Sequence, residues 1–236
     1  MPDWLHLTPV ETEAIILSLK VALLSLAINL PLAIGMGYVL ARFSFPGKSL
    51  VNGLVYLPLV LPPVVTGYLL LLTLGTQGPV GAWLEDTFGI VVAFRWTGAA
   101  IAAAVVSFPL AVGAIRLSIE AIDRRIEDAA RTLGANRWRV FATITLPLAL
   151  PGILAGAILA FARALGEFGA TITFVSNIRG ETQTLPLAIY SLTQVPGREG
   201  AALRLLVISV ILSLAALLAS ELFNRRIRKR VYGHER

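Results

Sequence analysis

Four stretches of this chain run for about twenty residues or more without a charged side chain: 21–41, 49–84, 96–115 and 140–162. A helix crossing the roughly 30 Å hydrocarbon core of a bilayer needs about 20 predominantly apolar residues. Soluble chains rarely contain one such run. Four of them predict an all-α, polytopic helical membrane protein. Composition agrees: 14% of the 236 residues are charged, against about 25% in an ordinary soluble domain.

Several function classes drop out at once. The chain has no cysteine, so it offers no disulfide framework, thiolate metal site or cysteine nucleophile. Its two histidines, His6 and His234, lie at opposite ends, which excludes a histidine-based metal cluster or a Ser-His-Asp arrangement. A net charge of +6 and a pI near 10.2 would suggest nucleic acid in a soluble chain. In a membrane protein the same excess belongs in cytoplasmic loops, and no nucleic-acid partner is expected. The start, Met1-Pro2-Asp3-Trp4, lacks a basic n-region, and the first apolar run is too long for a signal peptide. It is expected to be retained as a span.

Five spans account for the chain: 14–40, 54–74, 98–115, 148–164 and 205–223. The fifth reaches spanning length if Arg204 and Glu221 sit at opposite interfaces. Arg42 and Lys48 follow the first span, and six arginines from Arg116 to Arg139 follow the third. The tail from Arg225 to Arg236 holds six more basic residues. All of these fall on one side of a five-span chain, so the N-terminus is expected outside and the C-terminus in the cytoplasm. The stretch 166–200 is less regular, with Pro186 and Pro196 bracketing a short apolar run. It reads as an external loop, an interfacial helix or a re-entrant segment at the external face, over the middle of the assembly. Six spans are the alternative to five.

Gly47-Lys48-Ser49 looks like the end of a phosphate-binding loop. The required leading glycine is replaced by Arg42, however, and no strand precedes it. The chain itself is therefore not expected to hydrolyse nucleotide. Prolines 58, 62, 63 and 109 predict bent spans. Thr66 and Ser107 beside them either line a water-accessible path or simply pack between helices. Gly152, Gly156, Ala160 and Ala164 form a stripe of small residues suited to close helix approach. Arg163 and Glu167 stand one turn apart, placed to pair with each other or to meet a substrate.

The loop after the third span is the most informative segment. Asp123 suits a helix N-cap, Glu127 and Asp128 suit the positive end of the helix dipole, and Gly134 suits a C′ stop. Ile119, Ile122, Ile126, Ala129 and Leu133 recur at helical spacing. A second segment, 137–146, leads to Pro147 and the fourth span. This helix–glycine–helix elbow either packs under its own subunit or inserts into another protein.

At this point the residues resemble a known family. Glu127-Asp128-Ala129-Ala130, Gly134 and Ile144-Thr145-Leu146-Pro147 are similar to the EAA loop of ABC importer permeases, with Asp128 in place of the first alanine. Four longer stretches resemble the molybdate permease subunits of that class: 57–68 (LPLVLPPVVTGY), 107–117 (SFPLAVGAIRL), 129–147 and 161–177 (FARALGEFGATITFVSN). The resemblance covers nearly the whole chain. It implies one transmembrane permease domain over 1–236 with the type I ABC importer fold and a cytoplasmic coupling loop at 116–147. Glu127, Ala129, Ala130, Arg131 and Gly134 are the implied ATPase-docking residues. Thr66, Ser107, Glu167 and Thr171 are the candidates for the translocation path.

The implied system moves molybdate, or tungstate, across the cell inner membrane, in which this multi-pass chain lies among lipid. The implied partners are two copies of an ABC ATPase, which would bind ATP and Mg, an external molybdate-binding protein, and a second copy of this chain. No cofactor is expected in the chain itself, and the short tail after Phe223 is not expected to form a regulatory domain. The alternatives are a sulfate, thiosulfate or other oxyanion permease, or a secondary transporter. The last would need ionisable residues at span centres, which the spans lack.

Overall fold

The computed structural model describes residues 7–231, and in its last helix the side chains as far as Ala216, with Leu218. His6, His234 and the side chains of the basic tail lie outside the described residues. Among the described residues, twelve helices and a π-helical turn at Phe141–Thr145 make up the regular structure. They are α1 (Pro9–Arg42), α2 (Lys48–Val60), α3 (Pro63–Leu74), α4 (Pro79–Phe88), α5 (Trp96–Glu120) and α6 (Arg124–Thr132). After the elbow come α7 (Arg137–Val140), α8 (Leu146–Leu148), α9 (Leu150–Leu165), α10 (Gly169–Val175), α11 (Leu185–Thr193) and α12 (Glu199–Val231).

Helix α5 is the axis of the core. Its alanines at 99, 100, 102, 103 and 111 are buried, and α1 and α9 pack along it. Small residues allow this close approach, because helices in lipid associate mainly through packing. A Cβ at Gly156 would stand 3.0 Å from the Ala111 carbonyl oxygen, and one at Gly37 would stand 3.0 Å from Ile115 Cγ2. The small-residue stripe of α9 is therefore a packing face within this subunit. Asn29 of α1 donates from Nδ2 to the Ala104 carbonyl at 2.9 Å and to Ser107 Oγ at 2.7 Å. That fixes the register of α1 on α5.

The bend expected at 54–74 is a full break, and the span expected at 148–164 is broken too. Helices α2 and α3 meet at 113°. Consecutive prolines at 62 and 63 remove two donors, and the residue before a proline is forced out of the helical region. Leu61 and Pro62 are accordingly extended, with ψ of 141° and 134°. The segment Arg137–Leu148 meets α9 at 69°, and the break at Ala149 precedes Pro151. Among the described residues, three helices (α1, α5 and α12) are long and apolar enough to span alone, and counting each bent pair as one span brings the number to five.

Of the three forms open to 166–200, the structure has two short helices covered by protein. In α10, Ala170, Thr171, Phe174 and Val175 are buried against α3 and α5. In α11, Leu185, Leu187 and Ala188 are buried, and the Leu185 N–H donates to Ser18 Oγ of α1 at 2.6 Å. Short helices leave many backbone groups unpaired, and such segments survive at membrane depth only under a protein cover.

Candidate functional site

The elbow forms as its sequence dictates. Asp123 accepts from the Arg125 N–H at 2.9 Å and starts α6. Gly134 stops it at φ +86°, the left-handed conformation in which glycine carries no Cβ penalty. Asn136 then caps α7 through the Arg139 N–H at 2.8 Å. Ala129, Arg131 and Gly134 are exposed, and Ala130 is half-buried. Around them Ile126, Leu133 and Trp138 are exposed too, Leu133 at 89% and Trp138 at 80%. Apolar side chains this bare on a polar helix form a knob suited to a protein partner. Of the apolar residues that recur at helical spacing, Ile119 and Ile122 are buried while Ile126 and Leu133 face outward, because α6 starts afresh after a break at Ala121–Asp123.

Glu127 is the exception among the expected docking residues. It is 2% exposed and points into its own subunit. Its Oε1 accepts from Arg42 Nε at 3.1 Å and from Thr145 Oγ1 at 2.7 Å. Glu127 therefore lies beneath the knob, whose exposed surface is made by Ala129, Arg131 and Gly134 with their apolar neighbours, Ala130 being half-buried. Neither Arg42 nor Thr145 was a sequence candidate. They lie 85 and 18 residues away in the chain, and no local pattern links them.

The path candidates separate into two places. Ser107 is fully buried between α1 and α5, donating to the Ala103 carbonyl at 2.7 Å and accepting from Asn29. Its hydroxyl is fully committed to packing. Thr66 and Thr171 lie on α3 and α10, which cross so closely that a Cβ at Gly67 would stand 2.5 Å from the Ala170 carbonyl oxygen. Both threonines are buried, and the Thr66 hydroxyl has no partner among the described residues. Glu167 is buried just before α10. Its Oε1 accepts from the Ala170 N–H at 2.8 Å. Its Oε2 lies 2.6 Å from Arg163 Nη1, off the hydrogen-bond line. The pairing of Arg163 with Glu167 is thus realised, and it anchors the start of α10.

A cavity of about 500 Å³ opens beside α11 and the start of α12, lined by Arg179, Gln183, Ser191, Arg198 and Arg204 among others. Arg204 is more than a residue at a span end. Its Nη2 lies 2.7 Å from Glu11 Oε1, and Glu11 is buried in a capping box with Thr8. Lys20 sits 3.8 Å over the Trp96 ring, a cation–π contact that compensates its charge. Glu221, the expected interface residue at the other end of the fifth span, lies outside the described side chains. No group of three or more acidic or histidine residues placed to hold a metal occurs among the described residues.

The family model described as "Binding-protein-dependent transport system inner membrane component" matches residues 30–229. The "Molybdenum transport system permease protein ModB" of Escherichia coli (strain K12) is 58% identical over 224 residues, covering 95% of this chain and 98% of that protein. The "Sulfate transport system permease protein CysW" of the same organism is 35% identical over 237 residues, covering 99% of this chain and 79% of that protein. In a solved bacterial ABC transporter that imports the acidic polysaccharide alginate, one chain superposes with a TM-score of 0.75 at 20% identity, covering 94% of this chain and 81% of that one.

Proposed function

Since this chain belongs to the family of binding-protein-dependent transport system inner membrane components, we propose that it is the permease subunit that carries molybdate inward through an ABC importer. The observation that carries the reading is the 58% identity to a molybdenum permease over nearly the full length of both chains. The sulfate permease is far less similar.

The assembly we propose contains two copies of this chain, two ATPase subunits and an external molybdate-binding protein. The N-terminus lies outside and the C-terminus in the cytoplasm. The partner ATPases bind ATP and Mg, and this chain binds no cofactor. Ala129, Ala130, Arg131 and Gly134 form the knob that seats in the ATPase. The bare Leu133 and Trp138 beside them support that role. Closure of the ATPases would move the elbows and open the spans outward to receive the anion. Thr66, Thr171 and Glu167, at the α3–α10 crossing, are our candidates for the path. The free Thr66 hydroxyl offers a neutral donor, and Glu167, already neutralised by Arg163, does not repel the anion strongly. A path of neutral donors releases a dianion faster than a fixed unpaired cation would.

Uptake by proteoliposomes holding permease, ATPase and binding protein is the test. Molybdate is expected to enter with ATP hydrolysis, and tungstate to compete with it. Uptake of sulfate alone would move the chain to the sulfate branch. Uptake independent of ATP would make it a secondary transporter.

A further inference from the structure

We propose that Arg42, Glu127 and Thr145 form a latch that clamps the coupling elbow to α1 and to the foot of α9, so that the three move as one body. The inference rests on the importer reading above, in which the ATPase drives the elbow.

Four polar contacts converge at one point. Arg42 ends α1 and is nearly buried, its side chain 8% exposed. Its Nε donates to Glu127 Oε1 at 3.1 Å, and its Nη2 donates to the Ile122 carbonyl at 3.1 Å. Glu127 Oε1 also takes the Thr145 hydroxyl at 2.7 Å, from the π-helical turn that leads into α8 and α9. In return Arg124 Nη2 donates to the Ala41 carbonyl at 3.2 Å. The end of α1, the π-helical turn before α8 and the break between α5 and α6 are therefore cross-tied by charge-assisted bonds, the stronger kind of hydrogen bond.

The placement argues for transmission. The docking knob covers the exposed side of α6, and Glu127 is on its buried side. A push on the knob reaches α1 and α9 through this carboxylate. Separating a buried ion pair leaves each charge desolvated and alone, so the pair resists opening. Packed elements joined this way shift together. The arrangement makes α1, which lies outside the docking surface, part of the moving body.

The test uses the complete complex in nanodiscs, with spin labels at Ser44→Cys, just beyond α1, and Arg125→Cys on the exposed side of α6. The native chain is free of cysteine, so within each copy of it only these two positions carry a label. The distance between them should change by less than about 2 Å between the nucleotide-free and ATP-bound states, the scale of an ordinary helix shift. A larger change in the wild-type background would overturn the latch.

Glu127→Gln should still bind the ATPase, because the knob is intact, and should lose the fixed distance. The molybdate moved per ATP should then fall about tenfold, within the usual range of coupling effects. An unchanged ratio in a variant that assembles would also overturn the proposal. If Glu127→Gln does not accumulate, the near-isosteric Thr145→Val is read instead, with a loss of about fivefold expected, at the low end of the same scale. Arg42→Lys, which keeps the charge, should recover more of the ratio than Arg42→Gln. A wild-type complex that holds the distance but moves no molybdate would refute the substrate assignment and leave the latch standing.

Discussion

Gly67→Ala adds one methyl group at the point where α3 and α10 come closest. The new Cβ would stand 2.5 Å from the Ala170 carbonyl oxygen, 2.9 Å from Ala170 Cα and 2.9 Å from Thr173 Cβ. Two of these atoms are backbone and cannot rotate away. Ordinary van der Waals contact begins at 3.4 Å, so the helices must separate by roughly 0.9 Å, enough to forfeit much of the dispersion energy along the crossing. Overpacking of this kind costs about 1–3 kcal/mol. The methyl gains about 1 kcal/mol of helix propensity in return. The same substitution at Gly53 of α2, where a Cβ meets nothing within 4 Å, should keep that gain without the clash. The two variants should therefore differ by about 2 kcal/mol with opposite signs relative to wild type. Unfolding of the purified permease in mixed micelles would read the difference, and uptake by the reconstituted complex would show whether the displaced crossing slows transport. A Gly67→Ala protein as stable as Gly53→Ala would refute the close approach of α3 and α10.

Three further outcomes are expected. At Gly134 a Cβ meets nothing within the chain, so Gly134→Val should leave membrane levels normal yet weaken ATPase co-purification, through a backbone cost of about 1–2 kcal/mol and the added bulk at the contact. Gly134→Asn, which tolerates the left-handed conformation, should retain more binding; equal loss in both would leave only the bulk. Arg204→Ala should destabilise the permease by about 3 kcal/mol, the low end for a buried pair because the Arg204 side chain is 22% exposed to solvent. A double variant Glu11→Gln/Arg204→Met should recover most of that loss in the same unfolding measurement, and no recovery would mean the ion pair is not its source. An impermeant thiol reagent added to intact cells should label Arg179→Cys and spare Arg124→Cys; labelling at 124 from outside would reverse the topology.

The local signals in this sequence were decisive where the structure is itself local. Charge-free runs marked the apolar spans because the requirement for about 20 apolar residues is a property of the segment alone. The elbow was legible for the same reason. Asp123 and Gly134 cap and stop α6 through bonds to backbone groups within two to five residues, and no distant partner alters that. The small-residue stripe on α9 likewise announced a close contact, although it did not say with which helix.

What the tertiary structure decided was pairing and angle. The prolines at 62 and 63 foretold a bend, and only packing against α10 set it at 113°. Segment 166–200 was open to three readings, because short apolar stretches gain their cover from α1, α3, α5 and α12 rather than from themselves. Glu127 was expected among the docking residues. It turned inward because Arg42, 85 residues earlier, supplies the counter-charge that makes burial tolerable. Arg204 lies 193 residues from the Glu11 it neutralises. A buried charge is stable only beside its partner, and the identity of that partner is a fact of three-dimensional contact, which no window of the sequence contains.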